Sequence, residues 1–405
     1  MSLSLVSEQR RVEKLDWNFP ESNKEQDYAT HTLFRYFGKL PPVVTRRIIS
    51  YSGIEQGDSI VDVMSGSGTT AVESAILGFK SQNVDANPLS VIVGRVKTRV
   101  YERAALQSGF NTVLSTFDAW KAALEGRGTS LYPSRLGPPD NLGDLVDSGI
   151  PSIHNLDYWF SQRAQNDLSL LRLIIDVCLE GDIREFFYVC FASIVRKASN
   201  ASSSTGRIFI DRAKILRPVK QLFVKHAMLA IEKADKYSQL VREPEQHFLI
   251  GDARATFLPE ASGRLSIFHP PYFALYRYSS DVLRFELEWL GISRDDIRKR
   301  EIEDGFKTTK RELFDDYIED VGRVFIELKR VTRPGKMICY INNNSTLRDE
   351  RLPVIDASIA KAEAIGLKLV AICDREVMHT QAVYHRSART DKITTQDHIL
   401  FFRSG

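Results

Sequence analysis

The sequence predicts an α/β fold in which one doubly wound sheet is interrupted by a helical insertion. Short apolar strand patterns alternate with helical patterns in two parts of the chain, residues 58–88 and 247–402. Long helical periodicity replaces this alternation in the residues between them. The patterns number seven strands in all, which indicates a Rossmann-like seven-stranded sheet.

The first strand–helix–strand unit is the clearest of these patterns. An apolar run at 58–64 ends in a Gly/Ser cluster, and residues 69–79 carry apolar side chains at helical spacing. A second strand at 81–88 ends at Asn87-Pro88. Strand, helix and strand within about 30 residues form a βαβ unit. A helix over 41–52, with proline near its start, precedes the unit.

The strand–helix alternation resumes in the C-terminal part of the chain. The strand candidates there are residues 247–253, 264–269, 336–341, 367–373 and 398–402. Helices are predicted between them at 311–331 and 351–365.

Three long helical patterns define the insertion, at 157–181, 183–199 and 219–237. A Pro/Gly-rich linker near 126–152 precedes them. We therefore divide the chain into an N-terminal arm at 1–30, an α/β domain at 31–100 and 245–405, and a helical insertion at 101–244. The arm is polar and without clear periodicity, so we expect it to be mobile or loosely packed.

Composition is that of a globular protein without a membrane span. Hydrophobic residues make up 43% of the 405 residues and charged residues 26%. No run of about 18 apolar residues occurs, and the first residues lack the apolar stretch of a secretion signal. The four cysteines are widely spaced, which argues against a disulfide framework or a cysteine metal site. A reducing cytoplasm is the expected compartment.

Positive charge is concentrated in the insertion. The net charge is only +3, yet residues 191–240 hold ten Lys/Arg against three Asp/Glu. Such a segment could form a phosphate-facing surface or a solvated helical face, and charge alone does not decide between them. The candidate nucleic-acid-binding residues in this segment are Arg196, Lys197, Arg207, Arg212, Lys214, Arg217 and Lys220.

The segment from Asp62 to Thr70, here called the glycine loop, joins the first strand to its helix. Gly66 and Gly68 allow the backbone to turn tightly and to approach a ligand closely. Asp85 ends the next strand, where an acid can bind both hydroxyls of a ribose. The pattern indicates a nucleoside-containing ligand, although a tight turn without a ligand stays open. The third glycine of a dinucleotide site is absent.

The stretch VDVMSGSGTTAVESAILGFKSQNVDANPLS resembles the cofactor-binding segment of bacterial DNA amino-methyltransferases. That family uses S-adenosyl-L-methionine as its cofactor. Val63-Met64 departs from the family, which usually has Pro-Phe at these positions. The cofactor-binding residues that the resemblance implies here are Asp62, Met64, Ser65, Gly66, Ser67, Gly68, Thr69, Thr70, Asp85, Ala86 and Asn87.

Two further segments resemble cofactor contacts of the same family. HTLFRYFGKLPPVVTRRII (31–49) is similar to the element that closes over the methionine part of the cofactor. It implies that Tyr36, Phe37, Gly38 and Lys39 approach the cofactor, although an ordinary loop stays open. Asp252 matches a position that touches the adenine ring, and a surface acid after a strand is the alternative.

His269-Pro270-Pro271-Tyr272 follows an apolar strand and is here called the diproline loop. Two prolines cannot continue a sheet ladder, so the chain becomes a stiff loop at the ligand crevice of the sheet. The loop resembles the catalytic tetrapeptide of amino-methyltransferases, which is Asp, Asn or Ser, then Pro-Pro, then an aromatic residue.

The chemistry of the family explains the tetrapeptide. An exocyclic amino nitrogen shares its lone pair with the base ring and is a poor nucleophile, and acceptors on its hydrogens make it more tetrahedral. In the family, the first side chain and the carbonyl of the first proline supply those acceptors. The aromatic residue stacks on the base, which is turned out of the duplex.

His269 is the departure from the family at the position that matters most. A neutral imidazole offers one acceptor nitrogen, and an unperturbed pKa of about 6.5 leaves most of it neutral at cellular pH. His269 could therefore accept the hydrogen bond or take the proton. The other outcome is a catalytically silent binder.

A late loop, HTQAVYHRSART (379–390), resembles a segment near the base pocket, with Tyr384, His385 and Arg386 as nucleic-acid-binding candidates. The family members with this domain order carry Ser in the tetrapeptide and act on cytosine N4. This favours cytosine N4 over adenine N6 as the target.

The residues of this chain can also be compared with those that other methyltransferases and metal sites require. A cytosine C5 methyltransferase needs a Pro-Cys loop, which this chain lacks. The eight histidines are scattered, so no metal site is predicted. An RNA or protein-glutamine methyltransferase stays open, because related enzymes also use a Pro-Pro-aromatic loop. DNA is the expected partner, and RNA is not excluded.

Overall fold

The computed structural model describes residues 12–17, 19, 25–126, 136–203, 206, 208–273, 278–302, 312–347, 350–376 and 396–404. Most of its strands form one sheet of eight, in the order β1-β9-β10-β6-β5-β2-β3-β4. The strands are β1 (Glu13–Leu15), β2 (Ser59–Asp62), β3 (Lys80–Asp85), β4 (Gln246–Ile250), β5 (Gly263–Phe268), β6 (Thr332–Asn342), β7 (Ser345–Leu347), β8 (Glu350–Leu352), β9 (Leu367–Glu376) and β10 (Gln396–Ser404), with β7 and β8 forming a separate hairpin.

Thirteen α-helices accompany the strands in the described part of the chain. They are α1 (Pro42–Tyr51), α2 (Thr69–Leu77), α3 (Pro88–Thr98), α4 (Arg103–Leu124), α5 (Leu142–Ser148), α6 (Leu156–Trp159), α7 (Gln162–Cys178), α8 (Gly181–Ala198), α9 (Val219–Leu240), α10 (Arg284–Leu290), α11 (Arg294–Arg298), α12 (Glu312–Val331) and α13 (Val354–Ala364). A single π-helical turn, Tyr278–Val282, precedes α10.

The predicted Rossmann-like α/β class is confirmed, with eight strands rather than seven. The extra strand is β1, which pairs in parallel with β9 through Glu13 and Ala371. The expectation that the whole arm is loosely packed is therefore wrong for residues 13–15. Strand β9 would otherwise end the sheet with unpaired backbone groups, and β1 covers that edge.

The order of the sheet reverses between β2 and β5. From β2 the chain adds β3 and β4 on one side, and it then returns to add β5 and β6 on the other side. Strand β10 runs antiparallel to both β6 and β9. In a doubly wound sheet, the crevice at such a reversal, at the carboxyl ends of the strands, is where ligands bind.

Apolar side chains cover both faces of the sheet. Neighbouring residues of a strand point to opposite faces, and Ile60 and Val61 accordingly join different clusters of buried side chains. Val61 packs with residues of α12 and α13, whereas Ile60 packs with residues of α1. The two helical layers therefore hold the middle strands between them.

The helical insertion shares its core with neighbouring parts of the chain. The buried side chains of α4 to α9 form one cluster with Leu33 and Phe34, with α3, and with α10. Phe160 illustrates this, because its ring lies 5.1 Å from the ring of Phe285 and 5.5 Å from that of Trp289. The helical layer thus packs against the segment that follows the diproline loop. None of the described helices is long and apolar enough to cross a bilayer.

Helix α3 packs closely against β4 at Gly94, and a substitution there tests the packing of these two elements. A Cβ atom at Gly94 would lie 2.1 Å from the Phe248 ring. We expect Gly94→Ala to lower the free energy of unfolding by about 1–3 kcal/mol through overpacking, although alanine favours a helix. Chemical denaturation measures this change.

Gly143 is the matched control, because it is also helical but a Cβ there meets no atom within 4 Å. Gly143→Ala should leave stability unchanged or raise it. A Gly94→Ala variant as stable as wild type would show that α3 and β4 are not packed as described.

Candidate active site

The glycine loop turns at two residues in the left-handed region. Gly66 has a φ of 49° and Gly68, which precedes α2, a φ of 76°. A Cβ at Gly66 would lie 3.2 Å from the Tyr36 ring, and one at Gly68 would lie 3.0 Å from the Cα of Gly94. Both the backbone conformation and the close neighbours therefore require glycine at these two positions.

Two buried acids hold the loop. Asp85 accepts hydrogen bonds from the backbone N–H of Gly66 at 2.7 Å and of Asn87 at 2.9 Å. Asp62 accepts from the N–H of Met64 at 3.1 Å and from the Thr70 hydroxyl. Burial raises the pKa of each carboxyl group to about 6, so both are mostly ionised at neutral pH.

The loop also carries polar atoms that have no partner within the described residues. The hydroxyls of Ser65, Ser67 and Thr69 are buried without such a partner, and so is the Nδ2 of Asn87, which lies outside the loop at the start of α3. The Asn87 Oδ1 is used, because it accepts from the Leu89 N–H at the start of α3. A buried polar group without a partner costs about 1–3 kcal/mol. Several in one loop therefore indicate a polar ligand at the N-terminus of α2.

Tyr36 lies over the glycine loop and stacks on Tyr278. The ring centroids are 5.2 Å apart and the rings are inclined by 17°. The Ser90 hydroxyl donates to the Tyr36 oxygen at 3.3 Å, and the Tyr278 hydroxyl donates to the Phe37 carbonyl at 2.9 Å. The segment predicted to close over the cofactor is thus joined to the residues that follow the diproline loop.

The side chain of Lys39 is hydrogen-bonded to a backbone carbonyl. Its Nζ donates to the His31 carbonyl at 3.0 Å, and burial lowers its pKa to about 8. Gly38, beside it, has a left-handed φ of 70°. The predicted contact of Lys39 with the cofactor stays a prediction.

A buried cluster around Glu73 anchors this segment to α2. Glu73 accepts from the His31 Nε2 at 2.8 Å, from the Arg46 Nε at 3.0 Å and from the Tyr28 hydroxyl. Burial lowers the pKa of His31 to about 4, so the imidazole is neutral at physiological pH. Sequence reasoning missed this cluster, and its one signal was an acid within the apolar helix pattern at 69–79.

The diproline loop leaves the sheet beside the glycine loop. It follows β5, which pairs in parallel with β2 in a register that sets Asp62 opposite Ile267. Both loops therefore begin at the carboxyl ends of neighbouring strands, at the reversal of strand order. The Tyr317 hydroxyl donates to the Pro271 carbonyl at 2.9 Å and so fixes the loop to α12.

Four side chains form a row of contacts that runs from the diproline loop to β9 and β10. The Tyr272 hydroxyl donates to the Asp397 Oδ1 at 2.8 Å, and its oxygen lies 3.4 Å from the His269 Nε2. Arg375 donates to the Asp397 Oδ2 at 2.7 Å. Burial, together with the Arg375 charge, lowers the pKa of His269 to about 4. His269 is therefore neutral and can accept a hydrogen bond at cellular pH.

Sequence reasoning missed Arg375 and Asp397. They are directly paired across β9 and β10, so their opposite charges meet. In the sequence both residues lie just outside the apolar runs predicted as strands, Arg375 after 367–373 and Asp397 before 398–402, among other charged residues. The register that joins them could not be read from either strand alone.

Asp252 lies just after β4, as expected, and is paired with a neighbour. Its carboxylate accepts from the Arg254 Nη2 at 2.8 Å, and Arg254 also pairs with Asp320 at 2.9 Å. The predicted contact of Asp252 with an adenine ring stays a prediction.

The candidate nucleic-acid-binding residues differ in exposure. Lys197, Arg212 and Arg217 are exposed. Lys220 pairs with Asp118 at 2.5 Å. Arg207, Tyr384, His385 and Arg386 lie outside the described residues.

Arg196 and Lys214, two of the nucleic-acid-binding candidates, donate to backbone carbonyls inside the protein. Arg196 is buried, and its Nε donates to the Ser202 carbonyl at 2.8 Å. The Lys214 Nζ donates to the carbonyls of Arg196 at 2.8 Å and Ala201 at 2.6 Å. These internal contacts do not favour a phosphate-facing role for either residue, and that role stays a prediction. Both cations hold the backbone at residues 201 and 202, which charge counting could not reveal.

Comparisons with known proteins find similarity to methyltransferases. Residues 31–122 match the family model described as UPF0020, RMKL-like, methyltransferase domain. The Type II methyltransferase M.BsoBI of Geobacillus stearothermophilus is 22% identical over 430 residues, covering 87% of this chain and 81% of that protein. The Type II methyltransferase M.MvaI of Kocuria varians is 23% identical over 342 residues, covering 77% and 71%. The chain is therefore similar in sequence to known methyltransferases.

The methyltransferase relationship confirms the cofactor prediction, S-adenosyl-L-methionine. Its polar adenosine and amino-acid groups suit the unpartnered atoms of the glycine loop. Among solved structures, TrmN from Thermus thermophilus aligns over 91% of this methyltransferase-like chain and 50% of that chain, with a TM-score of 0.36 and 10% identity. The fold assignment therefore rests on the strand order described above.

Gly66 tests the cofactor site. We expect Gly66→Ala to weaken S-adenosyl-L-methionine binding at least about 10-fold, because a methyl group strains the left-handed backbone and presses on Tyr36. Isothermal titration calorimetry measures the dissociation constant.

Gly53→Ala is the matched control, since Gly53 has a similar φ of 64° but a Cβ there meets no atom within 4 Å. The Gly53→Ala variant introduces the same backbone strain outside the glycine loop, so it should bind the cofactor as wild type does. Equal losses in both variants would assign the effect to general destabilisation.

Proposed function

We propose that this chain transfers a methyl group from S-adenosyl-L-methionine to an exocyclic amino group of a base in DNA, with cytosine N4 favoured over adenine N6. One observation carries the proposal. The glycine loop, with its unpartnered polar atoms, and the diproline loop, with its neutral imidazole, start from adjacent strand ends. Methyl transfer requires cofactor and acceptor to meet in this way.

His269 supplies the acceptor that activates the amino group. The bound cofactor supplies an electrophilic methyl group whose transfer breaks its bond to sulfur. As the nitrogen–carbon bond forms, the amino nitrogen loses one proton, and the neutral His269 can accept it. A pKa of about 4 keeps this imidazole neutral, with one ring nitrogen free to accept, throughout the physiological range.

Tyr272 is proposed to stack on the target base. Its hydroxyl is anchored to Asp397, which holds the ring beside His269, with the two ring centroids 5.5 Å apart and inclined by 71°. The rigid prolines and the Tyr317 contact keep this aromatic side chain in place. Stacking on it requires a base that has been turned out of the duplex.

DNA is supported as the substrate by the resemblance of the two loops to those of DNA amino-methyltransferases and by surface charge. Exposed Arg212 and Arg217 flank Ile215, whose side chain is 86% exposed. This segment is linked to the cofactor side of the molecule through the neighbouring residues 201–203, because Lys214 donates to the Ala201 carbonyl at 2.6 Å and Arg35, next to Tyr36, donates to the Ser203 carbonyl. A basic surface with an exposed apolar side chain beside the site suits a DNA duplex. Restriction–modification or epigenetic marking is the proposed setting.

A catalytically silent nucleic-acid-binding protein is the second candidate. The observation that favours it is His269, which stands where the resembled family has Asp, Asn or Ser. An RNA methyltransferase is kept as an outcome of the test below.

The decisive assay incubates the protein with labelled cofactor and with DNA or RNA of mixed sequence. We expect N4-methylcytosine in DNA, identified as a nucleoside by mass spectrometry. His269→Ala and Tyr272→Ala should each lower turnover by about 100-fold, because the acceptor or the stacking ring is lost. Cofactor affinity should stay near that of wild type in both variants.

His269→Asn is the informative companion variant, since it restores a residue type of the resembled family. An inert wild type that becomes active through the His269→Asn substitution would establish the silent binder. Methylation of RNA alone would replace DNA as the substrate, and unchanged turnover in Tyr272→Ala would contradict stacking.

Reversal of surface charge tests the DNA-facing segment. Arg212→Glu and Arg217→Glu should each weaken DNA binding and make the dependence of log K on log salt less steep by about one unit. Fluorescence anisotropy over a range of salt concentrations measures both quantities.

Arg242→Glu is the control, because Arg242 is also exposed but precedes the first residue of β4 and so lies at the edge opposite the loops. It should keep the wild-type salt slope. Wild-type slopes in Arg212→Glu and Arg217→Glu would assign those side chains to solvent.

A further inference from the structure

Two residues of the last strands lie beyond the site that the sequence indicated. Arg375 of β9 and Asp397 of β10 form an ion pair at 2.7 Å, and both side chains are largely buried. Asp397 reaches the diproline loop through the Tyr272 hydroxyl. The row Arg375, Asp397, Tyr272 and His269 therefore links the end of the sheet to the candidate acceptor.

The protons along this row have one consistent arrangement. Burial raises the pKa of Asp397, whereas Arg375 and the Tyr272 hydroxyl stabilise its carboxylate form. Both carboxylate oxygens accept, one from Arg375 and one from Tyr272. A tyrosine hydroxyl has a single proton, which here is directed to Asp397. Towards the His269 Nε2, 3.4 Å away, the Tyr272 oxygen therefore presents a lone pair.

A lone pair on Tyr272 selects one form of the neutral imidazole. The Nε2 must carry the ring proton in order to donate to Tyr272, and the Nδ1 is then unprotonated. The opposite tautomer would set two lone pairs against each other at Tyr272. The arrangement therefore decides which nitrogen of His269 can accept a proton.

We propose that Arg375 and Asp397 are positioning residues that, through Tyr272, hold His269 in the Nε2–H tautomer and so make Nδ1 the acceptor for the amino proton of the target base. This inference rests on the proposed function for the role of His269 as acceptor. The state of the imidazole itself can be measured without any turnover.

Asp397→Asn reverses the arrangement while keeping the shape of the side chain. Because Arg375 only donates, the asparagine turns its oxygen to Arg375 and its amide nitrogen to Tyr272. Tyr272 then accepts from the amide, and its own proton points to the His269 Nε2. The expected result is the opposite tautomer, with a proton on Nδ1 and no acceptor for the substrate.

The experiment is nitrogen NMR of the full chain labelled with 15N-histidine, in which protonated and unprotonated ring nitrogens have distinct shifts. A His269→Gln variant identifies the His269 signals. Wild type should show an unprotonated Nδ1 and a protonated Nε2. Asp397→Asn should exchange the two and lower turnover by roughly 100-fold or more, with cofactor affinity unchanged.

Asp374→Asn is the matched control. Asp374 is also on β9, but it is exposed and pairs with His398 at 2.6 Å rather than with Tyr272. This variant should leave the His269 signals and the turnover at wild-type values.

The outcomes separate the two proposals. A protonated Nδ1 in wild type, or an unchanged His269 tautomer in a folded Asp397→Asn variant, overturns the positioning role. If Asp397→Asn does not fold, the wild-type spectrum alone decides whether the Nε2–H tautomer is present. Absence of methyl transfer to any nucleic acid in wild type overturns the proposed function, whereas the spectra still test the proton arrangement.

Discussion

The parallel pairing of β2 with β5 is the constraint on which the site depends. These strands are neighbours only because the chain leaves β2 for β3 and β4 and returns to the other side of β2. Their register sets Asp62 opposite Ile267, so that the glycine loop and the diproline loop leave the sheet together. A slip of one residue would turn every side chain of β5 to the other face. The buried contacts of Val61 and Phe268 on one face oppose such a slip.

The glycine loop contains features that lower the stability of the protein when no ligand is bound. Ionised carboxyl groups inside the protein and buried hydroxyls without partners each cost free energy when no ligand is bound. Such costs are retained at functional sites, where a ligand supplies the missing partners. The surrounding structure compensates for them through the Glu73 cluster and the stack of Tyr36 on Tyr278, which hold the neighbouring segment over the loop.

Burial decides the chemistry of several charged and polar groups. His269 is neutral because burial and Arg375 disfavour its charged form. Arg196 serves as an internal donor to backbone carbonyls, whereas Arg212 and Arg217 reach the surface. Residues of one type in one segment of sequence thus have different roles, and the helical insertion contributes both internal support and external charge.

Features that depend on local sequence could be predicted from the sequence by itself. Gly66, Gly68 and the two prolines of the diproline loop restrict the backbone wherever they stand, and the alternation of strand and helix patterns predicts the α/β class. Only the tertiary structure revealed the pairing of β1 with β9, the burial of Arg196, the Tyr36–Tyr278 stack and the meeting of Arg375 with Asp397. Each of these joins residues far apart in the chain or depends on what covers a side chain. Such contacts follow from strand register and packing, which no local pattern contains.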